Sequence, residues 1–171
     1  MSRLVLMVRD IRWLDEREGA AWRGFLSMQS RLLSHLGRDL QRRTGLSEAD
    51  YAVLVELSET PGGRLRIGEL GERLNWEKSR LSKQIGRMTI RGQVIREECP
   101  GDARGTFVVL TETGRDAVAV AAPFHVEQVR KLFVDVLTPD QLDALVAISS
   151  AVVDRLAQPD VDDTACEQAR T

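Results

Sequence analysis

At 171 residues the chain is long enough for about one domain with an appended element, and its 43% hydrophobic residues supply a core and exclude wholesale disorder. Its 29% charged residues mark a soluble protein, and no apolar run approaches the roughly 18 to 20 residues of a membrane span; Leu4 to Val8 is too short for a signal-peptide core, so a cytoplasmic protein that touches no membrane is expected. Two cysteines, Cys99 and Cys166, exclude a disulfide framework and make a zinc site an unsuitable reading, while the net charge of −2 discourages a nucleic-acid partner unless the charge is unevenly spread.

Residues 1–12 carry no clear period and read as an arm or a short strand. From Trp13 to Gln41, Trp22, Phe25, Leu26, Leu32, Leu33, Leu36 and Leu40 recur at three- and four-residue steps, which predicts a long helix that Thr44-Gly45 ends. Ser47 caps a second helix with Tyr51, Leu54 and Val55 on one face, and Pro61-Gly62-Gly63 closes it. Arg64–Arg66 forms a minimal strand before two short helices, 67–74 and 77–91, the second ended by Gly92. Val94 to Glu97 and Thr106 to Leu110, around a tip containing Pro100, Gly101 and Gly105, predict a β-hairpin. A helix follows to about Leu137, with Val118, Ala122, His125, Val129, Leu132, Phe133 and Val136 in one stripe and a kink at Pro123. Thr138-Pro139-Asp140-Gln141 opens the last helix, whose stripe runs from Leu142 to Leu156. The acidic, polar tail has the composition of a disordered segment.

Charge separates along this plan. Residues 61–111 hold ten Lys/Arg against six acidic residues, a net of +4, whereas the remainder has 14 against 20, a net of −6. A basic module in an acidic frame points to a polyanion partner for the module. Ile67 to Ile85 has the spacing of a helix-turn-helix: Gly71 is small where two helices approach, Asn75 tolerates a left-handed backbone at the turn, and Leu70, Leu74, Leu81 and Ile85 fill the shared core. Burying Leu81, Ile85 and Met88 leaves Lys78, Ser79, Ser82, Lys83, Gly86 and Arg87 outward. Such a face fits a major groove about 12 Å wide, the small residues allowing close approach while Arg80 or Lys83 reaches guanine edges and Arg87 and Arg91 lie nearer phosphate. The bland alternative is a solvated helix face. In the hairpin tip, Arg104 stands between small residues as a basic finger suited to a minor groove, with Asp102 holding its direction; alone, the tip reads equally as a surface turn.

Asp102-Ala103-Arg104 followed by Leu110-Thr111 resembles the wing signature D-x-R-x-x-x-x-x-L-T of the MarR family of winged helix-turn-helix transcription regulators. The stretches Trp76–Ile85 and Val94–Pro100 look like those of an actinobacterial-type branch of that family. The resemblance covers about residues 13–157 and implies a mainly α fold: a winged helix-turn-helix at about 47–111 between dimerisation helices at about 13–43 and 112–157, with a disordered tail at 158–171. It further implies a homodimer on double-stranded DNA at a pseudo-palindromic operator, expected to be a repressor, with release by a small-molecule effector. The DNA-binding residues are then Lys78, Ser79, Arg80, Ser82, Lys83, Arg87, Asp102 and Arg104. Gly86 and Thr89 depart from good helix formers and soften the recognition helix. Trp13, Trp22, His35 and Tyr51 are the effector-site candidates, although aromatic residues at helical spacing equally read as core and His35 as an interface residue.

Nothing in the sequence points to an enzyme or a cofactor. His35 and His125 are far apart, and no Gly-rich phosphate loop, G-x-S-x-G or H-E-x-x-H occurs. Cys99 beside Arg96 has the surroundings of a redox-sensing thiolate, but without a nearby second cysteine a structural role is preferred. The runner-up function is a winged-helix protein-interaction module that has lost DNA binding.

Overall fold

The computed structural model describes residues 12–99 and 102–158; all but Arg12 of the expected arm at 1–12 and all but Gln158 of the expected tail at 158–171 lie outside the described residues. The elements follow in the order α1 (Glu16–Thr44), α2 (Glu48–Glu59), a 3-10 turn (Pro61–Gly63), β1 (Arg64–Arg66), α3 (Ile67–Leu74), α4 (Lys78–Ile90), β2 (Val94–Cys99), β3 (Asp102–Leu110), α5 (Glu112–Leu132), a second 3-10 turn (Val134–Val136) and α6 (Pro139–Ala157). In chain order a winged helix-turn-helix is preceded and followed by long helices.

The helix ends are written locally. Asp15 and Glu18 form a reciprocal capping box at the start of α1, Ser47 and Asp50 another at α2, and Thr138 and Gln141 a third at α6. α1 therefore begins at Glu16 rather than Trp13: a side-chain acceptor that satisfies the first free N–H groups sets the boundary, not the apolar stripe. Asn75 ends α3 at φ 51°, with Asn75 N–H on Glu72 O and Trp76 N–H on Gly71 O, a Schellman closure. Gly92, at φ 70°, ends α4 the same way through Gln93 N–H to Met88 O.

The three strands form an antiparallel sheet in the order β1-β3-β2, with Leu65 opposite Val108 and Arg96 opposite Val108 on the other side. Strands β2 and β3 run farther than the hairpin predicted for 94–97 and 106–110, so residues 102–105 are strand rather than a flexible tip. Leu65, Val94, Val108 and Leu110 turn inward onto Leu54, Leu57, Leu70, Leu81, Ile85 and Met88, the shared core that orients α4.

The chain divides into two compact units between His125 and Val126, within α5. In the first, α1 buries Gly19, Leu36, Asp39 and Leu40, while Trp22, Phe25, Leu26 and Leu33 of its predicted stripe stay exposed. α5 continues through Pro123 and stops at Leu132, five residues before the expected end, and the apolar run passes into the second 3-10 turn. In the second unit, α6 has no buried residue, and Val146, Ile148, Val152, Val153 and Leu156 are exposed. No single helix among the described residues is long and apolar enough to cross a membrane.

Candidate nucleic-acid interface

α4 presents two chemically distinct faces. Leu81, Gln84, Ile85 and Met88 are buried, whereas Lys78, Ser79, Arg80, Ser82, Lys83 and Arg87 are exposed. The helix contains no acidic residue, so its outer face is uniformly cationic. Gly71 lets the turn close: a Cβ there would stand 3.4 Å from both Leu81 Cδ2 and Trp76 O, while around Gly86 nothing lies within 4 Å, leaving open space beside the exposed serines.

Three of the basic side chains are directed by neighbours. The Arg80 guanidinium lies over the Trp76 ring, 4.2 Å from its centroid, which leaves its edge available to donate. Arg87 donates through Nη2 to Gln84 Oε1. Arg96, on β2, donates to the Ser82 carbonyl at 3.1 Å and ties the wing to the middle of α4. Arg91, expected nearer phosphate, pairs through Nη2 with Oδ1 of the Asp50 carboxylate and donates from Nε to Gln93 Oε1, its side chain staying 44% exposed.

That carboxylate is the residue sequence reasoning passed over. Asp50 Oδ2 accepts from Ser47 N–H (3.0 Å) and Ser47 hydroxyl (2.7 Å), and Oδ1 accepts from Gln84 Nε2 (2.5 Å) as well as Arg91. The capping-box spacing signalled the first pair; partners 34 and 41 residues away had no local signal.

The side chains of Asp102 and Arg104 lie outside the described residues, as does that of Cys99; the backbone places Asp102 opposite Cys99 in the β2–β3 ladder. On the outer face of the sheet, Arg64 stacks over Phe107 at 4.0 Å and Arg66 at 5.6 Å, and Arg64 also pairs with Glu97 at 3.7 Å. Between the helix-turn-helix and β3 lies a groove of about 760 Å³, whose lining carries Glu69, Glu72 and Glu77 beside Arg66 and Lys78. That mixture of charge makes the exposed face of α4, not the groove, the candidate surface for a polyanion.

The effector candidates are dispersed. Trp13 is 82% exposed ahead of α1, and Trp22 stacks on Phe25 with centroids 5.9 Å apart. Trp22 and His35 are separated by ~20 Å along α1 at 1.5 Å per residue, too far for both to line one small-molecule cavity within a single chain. Tyr51 instead meets His125, centroid to centroid 4.6 Å. Burial raises the Tyr51 pKa, with Glu59 adding to the effect, and burial lowers that of His125 against the opposing charge of Glu48.

Comparison with known proteins decides what this architecture is. The MarR family model matches residues 44–105. The chain is 42% identical to AbsC, a MarR family transcriptional regulator from Streptomyces coelicolor, over 85% of this chain and 98% of that one, with a TM-score of 0.82. The chain belongs to the MarR family. Sco3205, a MarR family regulator from the same organism whose structure was solved in complex with DNA, is 40% identical, covers 88% of this chain and 94% of its own, and superposes with a TM-score of 0.84. The transcriptional regulator HosA of Escherichia coli O111:H- is 31% identical over 101 residues, 59% of this chain and 73% of that protein. This MarR-family chain is a transcriptional regulator, not an enzyme.

Proposed function

We propose that this protein is a cytoplasmic repressor that binds a pseudo-palindromic operator in double-stranded DNA as a homodimer and leaves it on binding a small-molecule effector. The observation that carries the DNA reading is the outer face of α4, four cations and two serines without a carboxylate, on a chain 40% identical to a regulator whose structure includes DNA. Ser79, Arg80, Ser82 and Lys83 face base edges in the major groove, Lys78 and Arg87 meet phosphate, and Arg104, directed by Asp102, enters the adjacent minor groove.

The homodimer is supported by the apolar surface that a single chain leaves uncovered, Trp22, Phe25 and Leu26 on α1 and Val146, Val152 and Leu156 on α6. An effector response is supported at Tyr51 and His125, where His125 Nδ1 is buried without a hydrogen-bond partner among the described residues. Trp13, Trp22 and His35 contribute only through surfaces that a second copy would complete. The test is a gel shift of the full chain on the promoter beside its own coding region at several salt concentrations. A shift that survives excess unrelated duplex supports the reading; no shift at low salt would favour a winged-helix module that binds protein instead.

A further inference from the structure

Gln84 stands between a buried carboxylate and an arginine of the exposed α4 face. Gln84 and Asp50 are each 2% exposed. A carboxylate only accepts and a guanidinium only donates, so the chemistry of the two neighbours sets the amide unambiguously: Nε2 toward Asp50, Oε1 toward Arg87. Asp50 is itself held in place, since Ser47 donates twice to one oxygen and Arg91 shares the other. Packing alone does not call for an amide here. Gln84 shares the buried face of α4 with Leu81, Ile85 and Met88, where a methionine would have a similar volume.

We propose that Asp50 and Gln84 are positioning residues for Arg87. The carboxylate orients the amide, the amide oxygen holds the guanidinium in one rotamer, and Arg87 presents its remaining N–H groups to a DNA phosphate. A long side chain that is ordered before binding gives up less rotamer freedom when it docks, which is what the relay supplies. This inference rests on the DNA-binding reading above.

A double-mutant cycle on the full chain tests it. Gln84→Met, Arg87→Ala and the double variant are titrated against a duplex that the wild type selects from a random-sequence pool, and against an unrelated duplex of equal length, between about 50 and 200 mM salt. Arg87→Ala is expected to lose about tenfold on both duplexes and to lower the salt slope by about 1. Gln84→Met loses most of the same affinity, and the double variant loses no more than Arg87→Ala alone. Full additivity would overturn the relay, because a merely structural amide would cost the same with or without Arg87. Should Gln84→Met not fold, the wild-type side-chain amide resonances of Gln84 serve instead: Arg87→Ala moves them and Lys83→Ala does not, and unmoved resonances would overturn the proposal. A wild type that retains neither duplex refutes the DNA reading itself, and the amide resonances then still report whether Gln84 holds Arg87.

Discussion

The Asp50 carboxylate and the Arg91 guanidinium join the first turn of α2 to the residue that follows α4, and only one of them is out of water: the Asp50 side chain is 3% exposed and that of Arg91 44%. Asp50→Ala removes the acceptor of four donors at once, leaving Gln84 with a buried, unsatisfied amide. It is expected to cost about 3 kcal/mol of unfolding free energy in urea titration. Arg91→Ala is expected to cost less than half as much, because Ser47 and Gln84 still satisfy the carboxylate.

Two glycines should respond in opposite directions. A Cβ on Gly114 would stand 2.7 Å from Leu110 Cδ1 and overlap the Gln93 carbonyl, so Gly114→Ala is expected to lose about 1 to 3 kcal/mol. Gly86 has open space around it inside α4, so Gly86→Ala should gain about 0.5 to 1 kcal/mol from helix propensity while weakening DNA binding through the added methyl. Thermal midpoints and operator affinity, measured side by side, check both.

Most of this fold was legible because its signals are short-range. Ser47 with Asp50, Thr138 with Gln141, Asn75 and Gly92 each declare a helix end within three or four residues of themselves. Where the apolar stripe was weighed above the cap, as at Trp13 against Asp15, the boundary was misplaced. Gly105 likewise read as turn yet lies within β3, since pairing across the sheet overrides a weak local preference. On the candidate interface, helical spacing alone separated the outward side chains of α4 from Leu81, Ile85 and Met88. The partners of Asp50, Arg87 and Arg91 were not legible, because a hydrogen bond between α2 and α4 leaves no period in the sequence.

Acidification should destabilise the protein through His125. Burial holds its folded pKa below the ordinary 6.5, so the unfolded chain takes up a proton that the folded one refuses. Stability is in place above about pH 6.5 and falls as pH drops through the lower folded value. Thermal midpoints between pH 7.5 and 5 are expected to decline in the wild type and to decline less in His125→Phe; equal slopes would clear His125 of the effect.

Base reading and minor-groove reading should separate in mutants. Arg80→Ala is expected to relax operator preference at one or two positions. Arg104→Ala should lose about 1.5 to 3 kcal/mol of operator binding. Asp102→Ala, which leaves the cation in place, should lose less. Unchanged affinity together with an unchanged thermal midpoint in Arg104→Ala would reduce the wing to a surface hairpin.

The exposed stripe of α6 predicts the assembly. Leu145→Glu combined with Val152→Glu places two charges on a face that a second copy is expected to cover, and light scattering should then report monomers or unfolded chain. A folded monomer with full operator affinity would contradict the two-fold arrangement.

One hydroxyl joins two helices that share no backbone hydrogen bond of their own. Thr111 Oγ1 donates toward the carbonyls of Gly92 (2.6 Å) and Gln93 (2.9 Å), just past α4, and accepts the Gly114 N–H (3.0 Å) in the first turn of α5. With Gly114 pressed against Gln93, there is no slack at this joint. A tilt of the first turn of α5 is therefore expected to carry the end of α4 with it, because the contacts at Thr111 and Gly114 leave no loop between the two to absorb it.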